Sequence, residues 1–161
     1  MSLDRSDITA QSRVLIEFSY RANDLDTRAS LDRIMARLAA ELPTQLTQDR
    51  AGIVEIALAE ITNNIVEHAY AGVDDGEIHL SAHLSGTMLH FAFVDDGAPL
   101  PNETLPSGRP PDLNGPCEAL PEGGFGWFLI HSLTSHLHYR RENDRNCLRV
   151  GFDFGDQPSA I

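Results

Sequence analysis

The sequence has no lysine: all twelve of its basic residues are arginine, set against 24 acids for a formal charge of −12. That absence excludes a P-loop lysine, a protein-kinase strand lysine and a Schiff-base lysine. Any phosphate handled here must meet backbone N–H groups, a metal ion or arginine. The acidic balance also disfavours nucleic acid as a general partner, because a negative surface repels phosphate backbones. It says little about one nucleotide, which answers to the local charge of its site. Cysteine is scarce too, and Cys117 and Cys147 are too few for a metal or disulfide framework. No apolar run approaches a membrane span, and the opening MSLDRSDITA lacks an apolar signal region. A cytoplasmic location without a membrane partner is the default expectation.

What is present is an ordinary globular mixture, 42% hydrophobic and 22% charged over 161 residues, enough for one domain with its own core. Residues 1–12 are polar and read as a loose arm. Val14–Tyr20 alternate apolar and polar as a half-buried strand does. Asp26 is placed to cap a helix reaching about Ala40, with Leu31, Ile34, Met35 and Leu38 on one stripe and Pro43 as the break. Asp49 opens a longer helix to about Ala69, with Ile53, Val54, Ala57, Ile61, Ile65 and Ala69 at helical spacing. A strand follows over Glu77–Ser85, and Gly86-Thr87 turns it into a second over Met88–Asp95.

Seven of the nine prolines fall within residues 99–122. A structureless stretch of that length inside a compact domain is usually a lid or a linker. Because a helix over Phe125–Leu133 and a hairpin of Ser135–Arg141 with Asn146–Phe154 follow at once, a lid is the better reading. In the strands Ile78, Leu80, Ala82 and Leu84 alternate with Glu77, His79, Ser81 and His83. Likewise Leu137 and Tyr139 alternate with His136, His138 and Arg140. One sheet face is apolar and the other wet, which predicts an α/β two-layer sandwich, its sheet mostly antiparallel or mixed and its helices on one face. The histidines of the wet face invite a metal reading, but a solvated or partner-binding surface is the simpler account.

Three motifs carry chemistry. Glu60 and Asn64 stand one turn apart on the long helix, an acid and an amide on one face. Asp95-Asp96-Gly97 closes a strand; alone it reads as a turn, and functionally as an acceptor for an amino group beside a glycine that admits a flat ligand. Gly123-Gly124-Phe125-Gly126 opens an apolar helix, whose unshielded N–H groups suit phosphate. It is no dinucleotide fingerprint, since a proline-rich loop and not a strand precedes it. Singly these signals are weak, but their order is informative: E-x-x-x-N on a helix, D-x-G at a strand end, a lid, then G-x-G at a helix start.

In that order they resemble the N, G1 and G2 boxes of the GHKL superfamily: gyrase-type ATPases, heat-shock chaperones, sensor histidine kinases and MutL-type proteins, which share the Bergerat-type ATP-binding fold. AEITNNIVEHAY and GGFGWFLIHSLTSHLHYR, followed by Arg145-Asn146, look most like the anti-sigma-factor serine/threonine kinases. The resemblance runs from about residue 13 to 154. It implies ATP and Mg²⁺ as cofactors and assigns roles by position. Asp95 would accept a hydrogen bond from the adenine amino group, with Gly97 lining the base pocket. Asn64 would offer its amide oxygen to Mg²⁺, and Gly124 and Gly126 would cradle the phosphates. Glu60 would be the catalytic base for a serine hydroxyl or a water. The implied protein substrate is an anti-anti-sigma protein of the STAS fold and the restrained partner a sigma factor or similar regulator, with the kinase itself a homodimer. The alternative is a nucleotide-gated partner-binding module with negligible kinase activity. Arg109, in the lid, reads more simply as a solvated residue than as a γ-phosphate contact, His68 as packing beneath the pocket, and Tyr70 and Trp127 as core.

Overall fold

The computed structural model describes residues 12–110, 114 and 124–155. Residues 1–11, expected as an arm, 111–113 and 115–123 of the expected lid, with Cys117 and Gly123, and 156–161 lie outside the described residues.

The first strand, β1 (Arg13–Arg21), leads into helix α1 (Asp24–Glu41). The cap of α1 is Asn23, whose side chain accepts a hydrogen bond from the Asp26 N–H and donates one to the Asp26 carboxylate. Asp26 therefore stands inside the first turn and is not the cap, an acid well placed at the positive helix end. Helix α2 (Gln48–Asn64) is likewise capped upstream of the expected Asp49, by Thr47, whose hydroxyl accepts from the Arg50 N–H. Helical spacing holds along its length, but the core positions differ in part: Leu58 is fully buried while Ile53 is 39% exposed.

The expected run to Ala69 is continuous in direction, yet Ile65–Ala69 winds as a π-turn, with the Tyr70 N–H bonded to the Ile65 carbonyl. Such wider turns often mark functional positions. Here the turn frees the Ala69 carbonyl, which accepts from the Ala98 N–H at 2.7 Å and ties the helix end to the D-x-G turn.

Strands β2 (Glu77–Ser85) and β3 (Met88–Asp95) form the hairpin read from the alternation, with Gly86 at φ +59° in the turn. Helix α3 (Gly124–Leu133) precedes the hairpin of β4 (His136–Glu142) and β5 (Arg145–Asp153). The sheet order is β1-β2-β3-β5-β4, and each neighbouring pair is antiparallel, so no mixed pairing occurs among the described strands. The order matters, because the chain's last strand is inserted beside β3 and sets Asn146 opposite Asp95.

The three helices cover one face of this sheet. Ile34 and Leu38 of α1, with Val54, Ala57, Leu58 and Ile61 of α2, pack with Ile130 of α3 over Ile78, Leu80, Phe91, Phe93 and Val150. Burying each of the Val, Leu, Ile and Phe side chains among them contributes roughly 1.5–3 kcal/mol. The opposite face is the wet one. On it His83 and His90 pair across β2 and β3 and stack at 4.9 Å between ring centroids, and no cluster of ligands able to hold a metal exists among the described residues. None of the described helices is long and apolar enough to cross a membrane.

Candidate functional site

A largely apolar cavity of about 310 Å³ opens between the end of α2 and the sheet, roofed by the described part of the proline-rich segment. Asn64, Ile65 and His68 come from the helix end, Asp95 and Asn146 from β3 and β5, Pro99 to Pro101 and Pro106 from the roof, and Trp127 from α3. Its size suits a small organic ligand, and its few polar groups converge, the pattern expected of a binding site. Trp127 packs half-buried against the core and also forms part of the cavity wall. His68 is exposed at the cavity edge and does not pack beneath it.

Asp95 is 6% exposed. Its Oδ1 accepts from the Gly97 N–H at 3.0 Å and from the Asn146 amide at 2.8 Å. Burial holds its carboxyl above the ordinary range, opposed by those two donors and by the Arg141 guanidinium. Gly97 itself is not part of the cavity wall, which Asp95 and Ala98 form on either side. A Cβ at Gly97 would lie 2.5 Å from the Ala69 carbonyl oxygen. The glycine is therefore demanded by the helix end behind the turn. Tyr70, buried as expected, also braces this turn, its hydroxyl lying 2.7 Å from both the Glu77 carbonyl and the Asp96 carboxylate. Burial, then the hydrogen bond to Asp96, push its phenol up to about 12.

At the other end, α3 begins against α2. A Cβ on Gly126 would lie 2.8 Å from Glu60 Oε2 and 3.7 and 3.9 Å from the two amide atoms of Asn64. Glu60, Asn64 and the first turn of α3, which Gly124 opens, thus form one cradle just beyond the cavity. The Asn64 amide nitrogen is buried without a partner among the described residues. Among the described residues no hydrogen bond to that nitrogen fixes which way the amide faces. An amide oxygen beside a carboxylate is a donor set suited to a hard divalent cation.

Of the expected site residues, then, Glu60, Asn64, Gly126 and the start of α3 come together in one place. Asp95 stands across the cavity from them, and Gly97 serves the turn. Arg109 is exposed, its N–H bonded to the Ser107 hydroxyl. The roof is held instead by His131, whose ring is 3.0 Å from the Pro106 carbonyl and directly against Gly108. Asn146, Tyr139 and Arg141 were not anticipated as site residues. Asn146 Oδ1 accepts from the Tyr139 hydroxyl at 2.7 Å and from the Arg141 guanidinium at 2.8 Å. The one signal for them was a polar residue on the apolar face of a strand, which alternation alone does not flag as functional.

Residues 22–152 match the family described as histidine kinase-like ATPase domain. Over 100 residues the chain is 35% identical to a protein named serine-protein kinase RsbW from Bacillus mycoides, and 34% identical to one of the same name from Bacillus cereus. Each match covers 62% of this chain and 62% of the relative, so the chain spans under two thirds of the length of these curated relatives. Its fold is similar to the crystal structure of the RsbU and RsbW domains of a Mycobacterium tuberculosis protein, with a TM-score of 0.58 at 17% identity, covering 86% of this chain and 32% of that one. The matched span holds the whole cradle and both walls of the cavity, and on that ground the chain belongs to the histidine kinase-like ATPase domain family, of the GHKL type.

Proposed function

We propose that the chain is a Mg-ATP-dependent serine/threonine protein kinase of the anti-sigma-factor type. It phosphorylates a STAS-type anti-anti-sigma protein and binds a sigma factor or similar regulator. The observation that carries the reading is the division of the site: a buried acceptor, Asp95, inside an apolar cavity, and beyond it a cradle in which a side chain at Gly126 would crowd the Glu60 carboxylate and touch Asn64. The likeness to proteins named serine-protein kinase RsbW supports the choice of reaction.

In this reading the adenine base lies in the cavity with its amino group donating to Asp95 Oδ2. The triphosphate reaches the first turn of α3, where the N–H groups at Gly124 and Gly126 donate to phosphate oxygens. Asn64 holds Mg²⁺ through its amide oxygen, and the ion supplies charge stabilisation at the phosphates. Glu60 accepts the proton of a substrate serine or threonine hydroxyl as that oxygen bonds to the γ-phosphorus and the bond to ADP breaks. With no lysine available, backbone N–H groups and the metal carry the phosphate charge.

Calorimetric titration with ATP, with and without Mg²⁺, tests the assignments separately. Binding of ATP by the parent is expected to tighten with Mg²⁺, and Asn64→Ala to lose that dependence. If Mg²⁺ makes no difference to either protein, the metal assignment is wrong. Glu60→Ala is expected to bind ATP as the parent does.

A further inference from the structure

The polar cluster behind Asp95 is arranged in one sense only. The Tyr139 hydroxyl accepts from the Leu100 N–H at 3.2 Å, so its own proton goes to Asn146 Oδ1 at 2.7 Å. Arg141 can only donate, and it gives to the same oxygen at 2.8 Å while also bonding the Gly97 carbonyl at 2.9 Å. Two donors on Oδ1 determine the orientation of the Asn146 amide. Its nitrogen must face the other way, toward Asp95 Oδ1 at 2.8 Å and the Ala98 and Gly97 carbonyls at 3.0 and 3.3 Å. Asp95 Oδ1 then receives two donors, the Asn146 amide and the Gly97 N–H. A proton on that oxygen would oppose both, and the two donors favour the ionised carboxylate, which accepts at Oδ2 as well, against the burial that raises it.

We propose that Asn146, oriented by Tyr139 and Arg141, is a specificity-determining positioning residue that fixes the polarity of Asp95, so that the cavity admits a purine carrying an amino group and refuses one carrying a carbonyl at the same place. The inference rests on the reading of the cavity as an adenine site and deepens it. Hypoxanthine has the shape of adenine but presents an oxygen where adenine presents N–H. Facing an ionised carboxylate, that oxygen gains no hydrogen bond and leaves Asp95 Oδ2 without the donor that adenine supplies. Without the relay, the amide at position 146 turns or is lost, Asp95 loses a donor, and a proton on it then serves a carbonyl ligand. Discrimination falls even though the cavity keeps its shape. A residue that merely held the turn together would weaken both nucleotides alike and leave their ratio unchanged.

The test is to measure the affinities of ATP and inosine triphosphate for the parent, Asn146→Leu and Arg141→Met by fluorescence or calorimetric titration. Arg141 lies at the outer end of the relay with its side chain 15% exposed, so its variant reports even where the buried Asn146 substitution disturbs folding. The parent is expected to prefer ATP by about 100-fold, the upper end of what an unsatisfied buried polar group costs. In the variants the preference is expected to shrink by about tenfold or more, through weaker ATP and relatively stronger inosine triphosphate binding. A preference that persists undiminished in the variants overturns the polarity relay and leaves the adenine reading standing. A parent that binds the two nucleotides equally overturns the adenine reading and the relay together.

Discussion

Asp95 and Asn146 face each other on neighbouring strands, 51 residues apart in sequence, and the stability and the binding they govern pull in opposite directions. Burial raises the Asp95 carboxyl. An acid raised on folding contributes its stability below its ordinary value of 3.8 and loses that contribution as pH rises through the folded value. At neutral pH its charge is therefore held at a cost. Asparagine at this position can still accept the Gly97 and Asn146 donors through its oxygen but turns an N–H toward the ligand. Asp95→Asn is expected to melt at or above the temperature of the parent at neutral pH while weakening ATP about 100-fold. Parallel thermal melts and ATP titrations check both halves, and unchanged ATP affinity would remove Asp95 from base recognition. Asp95 could be singled out in the sequence because a carboxylate at a strand end before glycine is a recognisable local pattern. Asn146 could not be, because only the insertion of β5 beside β3 gives it a role.

Among the elements, the end of α2 carries most of the consequence, since its π-turn ties it to the D-x-G turn and its last helical turns face α3. Two glycines touch it for different reasons. A methyl group at Gly97 would meet the Ala69 backbone at 2.5 Å, and backbone cannot move aside. Gly97→Ala is expected to cost about 1–3 kcal/mol of stability, seen as a lowered denaturation midpoint. A methyl group at Gly126 would meet the tip of the Glu60 side chain at 2.8 Å, which can swing away. Gly126→Ala is thus expected to melt near the parent and yet to lose phosphoryl transfer by about 100-fold or more, as Glu60 is displaced from the attacking hydroxyl. A Gly126→Ala protein with full activity would show that the cradle is not where chemistry occurs. The hairpin of β2 and β3 was legible to the residue, because strict alternation flanks Gly86-Thr87. The helix starts were misjudged by a few residues, since an acid in the first turn and the cap before it leave similar marks in the sequence. The π-turn was not legible at all: apolar spacing runs through Ile65 and Ala69 without interruption.

At the scale of the molecule, helices on one side leave a wet sheet face crossed by histidines, and the sequence foresaw that asymmetry but not which rings meet. His83 and His90 stack, and both are lowered from 6.5, first by burial, then by Arg149 for His83 and by His83, His136 and Arg149 for His90. A group lowered on folding contributes stability that is present above its unfolded value and lost as pH falls through the folded one. The protein is expected to lose stability as pH drops below 6.5, and His83→Gln to reduce that loss; pH-dependent thermal melts measure it, and identical profiles would dismiss the stacked pair as its source. The central claim concerns what the whole site does with ATP. It is tested most directly by transfer of labelled γ-phosphate from Mg-ATP to STAS-domain proteins from the same genome, run beside Glu60→Ala. Label appearing on a partner serine or threonine with the parent, and lost with the variant while ATP still binds, is the predicted result. ATP binding without transfer to any such partner, or transfer that survives Glu60→Ala, would contradict the account and leave a nucleotide-gated binding module or a different catalytic group in its place.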